Sequence, residues 1–210
     1  MIVGLIKPDV GKVYLNNQNI TKTPMYKRAK MGIGYLPQEV SVFRKLSVED
    51  NIFSILEMTS LSKKQQKIRL EELIEEFGLG HVRKTLGIKL SGGEKRRVHF
   101  ARTLIQVWND NLQNDPSFMF LDEPTSNLDL YHELKLLKIL KNESKKGKGI
   151  LLIIHNLNLA FKFSDKIGIF KNGKLLSFGE PKEVFTNEIL FDVFKIPIKV
   201  NSKNRTLNIY

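Results

Sequence analysis

The sequence contains 210 residues, of which 41% are hydrophobic and 27% charged, a balance that indicates a folded domain, with or without a subdomain. The absence of cysteine excludes a disulfide framework and thiolate metal sites, and the apolar runs are too short for a membrane-spanning helix. The formal charge of +12 permits contact with nucleic acid, but the lysines are dispersed, which favours an ordinary solvated surface. We therefore expect a soluble, cytoplasmic protein with no nucleic-acid partner.

The N-terminal part of the chain favours short strands. Residues 12–20 predict a strand, a polar turn and a returning strand, and residues 32–38 predict a strand that ends at a proline. Between them, Pro24 is typical of the start of a short helix that runs to Lys30.

Two helices are predicted in the middle of the chain. Ser47 and Asp50 have the spacing of an N-terminal capping pair, and Ser62 and Gln65 have the same spacing ahead of a second helix. The second helix is predicted to end at Gly78.

The sequence after Leu90 alternates helices with apolar strands. A helix is predicted from about Glu94 to Trp108, and another near residues 131–141. The strands at 118–121 and 150–154 lack polar alternation, which indicates a parallel sheet covered on both faces.

The C-terminal part begins with a predicted hairpin over residues 167–179. Its Asn172–Gly173 pair supplies the positive φ angles that a two-residue hairpin turn requires. Residues 181–194 are then predicted to be helical.

Polar side chains follow three of the predicted strands. Asp122 and Glu123 end one strand, where one carboxylate can hold a magnesium ion that bridges nucleotide phosphates and the other can polarise an attacking water. Gln38 follows an earlier strand and His155 a later one. Taken singly these signals are weak, because acid pairs after apolar runs are common and a histidine after a strand is usually structural.

Five motifs in a fixed order make the pattern specific. They are "PQ" at 37–38, "LSGGE" at 90–94, "LDEP" at 121–124, "SNLD" at 126–129 and "IIHN" at 153–156. Together they resemble the ATP-binding subunit of ABC transporters, and the resemblance covers essentially all 210 residues.

The resemblance implies a role for each strand-end residue. Glu123 would be the catalytic glutamate and His155 the switch histidine, while Asp122 and Gln38 would bind Mg²⁺. Gln38 would also face the transmembrane subunits. The implied cofactors are therefore ATP and Mg²⁺.

The same resemblance implies a dimer. In this family the signature motif of one subunit holds the ATP bound to the other subunit, a role that falls to Ser91, Gly92, Gly93 and Glu94. The glycines allow close backbone approach, and a helix N-terminus favours the anionic phosphate. Asp129 would belong to the D-loop, which acts across the same interface.

The implied fold class is α/β, an ABC-type P-loop NTPase nucleotide-binding domain over residues 1–210. It would contain a helical subdomain at 39–89 and the signature-to-switch region at 90–195. We expect the domain to be N-terminally truncated and to lack the Walker A phosphate loop, so that a homodimer would bind ATP poorly. The one near-match, Gly168–Leu175, has no hydroxyl at its last position and lies in the predicted hairpin, so we reject it.

The two halves of the sequence resemble different branches of the family. Residues 1 to about 90 resemble the ATPase of lipopolysaccharide export, whereas the following residues resemble the ATPase of hemin and siderophore import. A junction of two genes near Leu90 and ordinary divergence within one family are both open at this point.

These expectations give one main functional hypothesis and two alternatives. The main hypothesis is an ATPase subunit, bound peripherally to transmembrane subunits on the cytoplasmic face of the inner membrane, that drives transport by ATP hydrolysis. One alternative is a non-catalytic partner that contributes only its signature motif to a complete ATPase. The other is a soluble ABC-type ATPase acting on nucleic acid, suggested only by the charge.

Overall fold

The computed structural model describes residues 1–107, 117–201 and 203–209. They form two compact units, Met1–Ile153 and Ile154–Tyr210. The length of the sequence by itself was also compatible with a single domain. Within the described ranges, no helix combines the length and apolar character that a membrane crossing requires. Trp108, at the predicted end of a helix, lies outside the described residues.

The first unit opens with the predicted hairpin and short helix. Strands β1 (Tyr14–Leu15) and β2 (Gln18–Asn19) are antiparallel, and α1 spans Met25–Lys30. Asn16 and Asn17 form the turn at φ 48° and 64°, a left-handed conformation that asparagine tolerates better than most residues.

Among the described residues, the centre of the first unit is a parallel sheet of three strands. Its strands are β3 (Ile33–Leu36), β4 (Phe118–Asp122) and β5 (Gly149–Ile153), in the order β3-β4-β5. Leu121 is in register with Leu36 on one side and with Leu152 on the other, so the three strands end at one edge. The predicted parallel sheet is confirmed.

The prediction that both faces of the sheet are covered is wrong for β5. Met119 and Leu121 of the central strand are buried, but Leu151 and Ile153 are 51% and 49% exposed. Within the described residues β5 pairs with β4 alone, so it is the last strand of this sheet and has fewer neighbours to cover it.

Helices α2 (Val48–Leu56) and α3 (Lys63–Glu76) lie within the predicted helical subdomain. The oxygens of Ser47 and Ser62 accept the predicted capping hydrogen bonds from the amides of Asp50 and Gln65. Two single-turn 3₁₀ segments follow.

Helix α4 spans Gly92–Gln106 and α5 spans Leu130–Lys145. Helix α4 begins two residues before the predicted Glu94, because Ser91 caps it directly.

The second unit contains α6 to α8 and two hairpins, β6–β7 and β8–β9. The elements are α6 (Leu157–Phe163), β6 (Ile167–Lys171), β7 (Lys174–Gly179), α7 (Pro181–Val184), α8 (Asn187–Phe194), β8 (Ile198–Asn201) and β9 (Thr206–Ile209). The rejected near-match to a phosphate loop lies in the β6–β7 hairpin. Residues 181–194 were predicted as one helical stretch but form two helices, because Thr186 caps α8 and interrupts the helix.

Candidate functional site

The predicted site residues of the first unit follow the carboxyl ends of its parallel strands. Leu36 and Leu121 are paired in register, and Gln38 and Glu123 each lie two residues further along their own segments. Ligands of parallel α/β sheets bind outside this edge. The strand register therefore brings Gln38, Asp122 and Glu123 to one edge of the sheet.

His155 belongs to the second unit, which begins at Ile154. It follows β5 by two residues, and its side chain is exposed.

The backbone of Glu123 is held in an unusual conformation. Its φ angle is 46°, in the left-handed region that costs a non-glycine residue about 1–2 kcal/mol. The Glu123 amide donates to the Ile153 carbonyl at 3.2 Å, and its carbonyl accepts from the Ser126 amide at 3.1 Å. Strain of this kind persists only where surrounding contacts fix it.

Arg96 of α4 connects to the segment that follows β3. Its guanidinium is buried, and Nη1 donates to the Gln38 carbonyl at 2.7 Å and to the Pro37 carbonyl at 3.2 Å. The backbone beside Gln38 is therefore tied to the helix that the signature motif opens.

The second terminal nitrogen of Arg96 connects to the end of β4. Nη2 donates to the carbonyls of Asp122, at 3.3 Å, and of Glu123, and to Ser126 Oγ at 2.8 Å. Burial lowers the pKa of Arg96, and the carboxylates of Glu123 and Asp122 act in the opposite direction. A guanidinium remains charged in proteins, so these are charge-assisted hydrogen bonds.

Sequence reasoning missed Arg96. A basic run such as Lys95–Arg97 is typical of solvated helix surface, whereas Arg96 is only 1% exposed. A signal was present in the helical spacing, since Arg96 precedes the buried Phe100 by four residues and Thr103 by seven.

Two further side chains of α4 hold the segment after Gln38. His99 Nδ1 accepts from the Ser41 amide at 3.2 Å, while Arg102 donates to the Ser41 carbonyl at 2.8 Å and lies 4.3 Å from the Phe43 ring centroid. Burial, with Arg102 and Arg96 nearby, lowers the pKa of His99 to about 4, so the ring is neutral near pH 7.

The predicted signature residues form the N-terminus of α4. Ser91 Oγ accepts from the Glu94 amide at 3.3 Å, and a Glu94 carboxylate oxygen accepts from the Ser91 amide at 2.8 Å, which makes a capping box. The Ser91 amide lowers the pKa of Glu94. A Cβ added to Gly92 would meet open space, whereas one added to Gly93 would lie 3.3 Å from the Asn127 carbonyl.

Asp129 caps the next helix, α5. Its carboxylate accepts from the His132 amide at 2.9 Å and contacts His132 Nδ1 at 2.8 Å. The hydrogen bond from the His132 amide lowers the pKa of Asp129, which keeps the carboxylate ionised at neutral pH.

The donor set at the strand ends suits a magnesium–nucleotide complex. Among the described residues there is no cluster of three or more His, Asp or Glu side chains that could hold a metal ion by themselves. Mg²⁺ usually binds through one or two protein oxygens together with phosphates and water, and Asp122 and Gln38 offer such a pair at one edge.

Comparison with known proteins places the chain in a family. A family model described as ABC transporter matches residues 1–126. A probable ABC transporter ATP-binding protein from Azorhizobium caulinodans is 41% identical over 184 residues, which cover 88% of this chain and 63% of that relative. The chain belongs to the ABC transporter family. The resemblance that the sequence motifs indicated is thereby confirmed.

Other relatives of this ABC transporter chain are named for lipopolysaccharide export. The export-system ATP-binding protein LptB of Haemophilus influenzae is 38% identical over 189 residues, covering 90% of this chain and 75% of the relative. An alignment of that length necessarily crosses Leu90, so one relative extends across both halves of the sequence.

Solved ABC structures confirm the predicted α/β nucleotide-binding fold. The structure of cbiO1 from Clostridium perfringens, part of the transporter complex cbiONQ, matches with a TM-score of 0.70 at 24% identity and covers 91% of this chain and 74% of that chain. A structure of an ATP-binding subunit of an ABC transporter matches with a TM-score of 0.73, also at 24% identity, over 87% of this chain and 72% of that chain. These likenesses concern the fold alone.

Proposed function

We propose that the chain is the ATP-hydrolysing subunit of an ABC transporter and couples ATP hydrolysis to transport across the inner membrane. The observation that supports the proposal is the position of Gln38, Asp122 and Glu123 at one edge of the parallel sheet. Arg96 donates hydrogen bonds to the backbone carbonyls of all three residues. Family membership supplies the reaction class, since its members include proteins named as ATP-binding subunits.

Each residue has a role in this proposal. Glu123 polarises the attacking water as general base, and Asp122 and Gln38 hold Mg²⁺ against the nucleotide phosphates. His155, which lies in the second unit, keeps the role of switch histidine that the motif order implies. Magnesium supplies charge neutralisation of the phosphates when bound.

The signature residues act across a dimer of nucleotide-binding subunits. Gly92 and Gly93, in the first turn of α4 beside the Ser91–Glu94 capping box, present backbone amides to the phosphates of the ATP held by the second subunit. Asp129 lies in the segment that completes the interface. The dimer binds transmembrane subunits on the cytoplasmic face of the membrane.

Lipopolysaccharide export is the cargo assignment that the comparisons favour. Relatives named LptB align over 189 to 194 residues at 36–38% identity. Hemin import is the second candidate. It is supported by two segments that follow the signature motif, "RVHFARTLIQVW" and "IIHNLNLAFKFSDKI", which resemble the ATPase of hemin and siderophore import.

The first test is the Glu123→Gln variant of the full chain in its transporter complex. We expect the ATP turnover rate to fall about 10²- to 10⁴-fold, because the general base is lost, while ATP affinity is retained. Turnover is measured by phosphate release and affinity by equilibrium binding. The matched control is Glu75→Gln, which changes an exposed glutamate of α3 and should leave turnover unchanged. A wild-type complex without turnover would contradict the proposal.

A non-catalytic partner is the second candidate function. The observation that favours it is the N-terminus of α4, where a Cβ added to Gly92 would meet open space, so a phosphate held by another subunit can approach the backbone. In this case the wild-type chain alone would not turn over ATP. It would instead raise the turnover of a partner subunit that carries a phosphate loop, and Ser91→Arg would abolish that gain.

A further inference from the structure

Arg96 is surrounded by the segments that carry the proposed chemistry. Its five hydrogen bonds reach the segment after β3, the end of β4 and the turn before α5. Only 1% of its surface is exposed, so solvent and substrate have no direct access to it. Any effect on the reaction must therefore pass through the residues that it holds.

We propose that Arg96 is a positioning residue that fixes the Glu123 carboxylate and the Gln38 side chain relative to each other for ATP hydrolysis. The inference rests on the proposed function, in which these two residues are the general base and a magnesium ligand. Arg96 makes no contact with substrate in this scheme, and it acts on both groups through their backbone carbonyls.

Glu123 has a backbone conformation that needs stabilisation. Its φ of 46° is disfavoured for a residue with a side chain, and it aims the carboxylate differently from an ordinary right-handed turn. The Glu123 carbonyl is stabilised in this state by the Arg96 guanidinium and by the Ser126 amide. Without the guanidinium, the carbonyl loses its charged donor and the left-handed state loses part of its stabilisation.

The fork of the Arg96 guanidinium explains how one side chain acts on both residues. Nη1 serves the β3 side and Nη2 serves the β4 side, so one rigid planar group spans both strand ends. A lysine ammonium is a point donor on a flexible stem and cannot reproduce that fork. Displacement of a catalytic group by about 1 Å can reduce a rate about 10²-fold.

The test uses Arg96→Met and Arg96→Lys in the full chain within its transporter complex. We expect Arg96→Met to lower kcat about 10- to 100-fold while KM for ATP changes less than about 2-fold, because positioning affects the chemical step more than ground-state binding. Arg96→Lys should recover part of kcat. If Arg96→Met reduces the folded fraction, Arg96→Lys carries the comparison by itself.

A double-mutant cycle separates positioning from a merely structural role. If Arg96 acts by placing the Glu123 carboxylate, Arg96→Met should lower single-turnover hydrolysis less than about 2-fold in the Glu123→Gln background, where that carboxylate is already lost. A full 10- to 100-fold loss in both backgrounds would overturn the inference.

Arg28→Met is the matched control, since Arg28 is equally buried and also donates five hydrogen bonds, all to backbone carbonyls within residues 1–23. It should leave kcat per folded molecule unchanged. Turnover by the wild-type complex with an unchanged kcat in Arg96→Met and Arg96→Lys would overturn the inference alone. Absence of wild-type turnover would overturn the proposed function and the inference together.

Discussion

Two regions of the first unit are organised by a buried arginine, and they differ in what the arginine joins. Arg28 donates to carbonyls of the N-terminal segment, including those of Met1 and Ile20, at most 27 residues away in the chain. Arg96 donates to acceptors up to 59 residues away, around Gln38 and Glu123.

A buried guanidinium group therefore serves a different purpose in each of the two regions. A guanidinium offers five donors in a fixed plane, so it can satisfy several carbonyls where no strand or helix supplies partners. Around Arg28 this closes a local loop beside α1. Around Arg96 it connects segments that are distant in sequence at the edge where the proposed chemistry takes place. Sequence separation of the acceptors, rather than burial or bond count, distinguishes the two.

The largest expected effect is on stability and concerns Arg28, whose acceptors all lie in the N-terminal segment. Arg28→Met should lower the free energy of unfolding by about 3 kcal/mol or more, because several buried carbonyls lose their donor at once. Urea unfolding followed by circular dichroism measures the change. Lys30→Met, an exposed change on the same helix, is the control and should shift stability by less than about 0.5 kcal/mol. A loss of stability below about 1 kcal/mol in Arg28→Met would show that the two regions are not comparable.

Acidification should weaken the Arg96 region selectively, because that region contains His99. Its pKa of about 4 in the folded state lies below the unfolded value of about 6.5. Above pH 6.5 the ring is neutral in both states. As pH falls from 6.5 towards 4 the unfolded chain binds the proton first, so folding stability is progressively lost.

Between pH 7 and pH 5 this histidine should cost about 2 kcal/mol of stability. The measurement is urea unfolding of wild type and His99→Gln at both pH values, where the variant should lack that part of the pH dependence. Equal pH dependence in the two proteins would count against it. The acceptors of Arg28 are backbone carbonyls, which do not titrate, so Arg28→Met should retain the wild-type slope.

The smallest expected effect compares two serine helix caps, each part of a capping box. Ser91 and Ser62 each form a capping box, on α4 and α3 respectively. Replacing either with alanine should lower stability by about 1 kcal/mol. Under the proposed function only Ser91→Ala also lowers ATP turnover, because that cap faces the nucleotide of the second subunit. Equal turnover in the two variants would remove the distinction.

Much of the fold could be predicted because its signals are local. The capping serines, the Asn172–Gly173 turn and the apolar run of β4 each depend on a few neighbouring residues. The predictions that failed depend on the environment. The exposed face of β5 reflects which neighbours the strand has, and the break before α8 reflects one threonine that caps rather than continues a helix.

The residues of the candidate site could be proposed from the sequence, but the hydrogen bonds from Arg96 that hold their backbone could not. Asp122, Glu123 and Gln38 follow strands, and the parallel register brings them to one edge. Arg96 was missed because a charged triplet ordinarily indicates solvent, and its burial is possible only because carbonyls from distant segments converge on it.

The outer edge of β5 has a practical consequence for handling the purified chain. Within the described residues, β5 pairs on one side only, and its Leu151 and Ile153 are half-exposed. Such a strand is a template for pairing with a strand of another molecule. Concentrated samples should therefore self-associate through β-sheet extension, detectable as light scattering that rises with protein concentration. A charged residue in place of Leu151 would oppose this strand pairing and improve solubility.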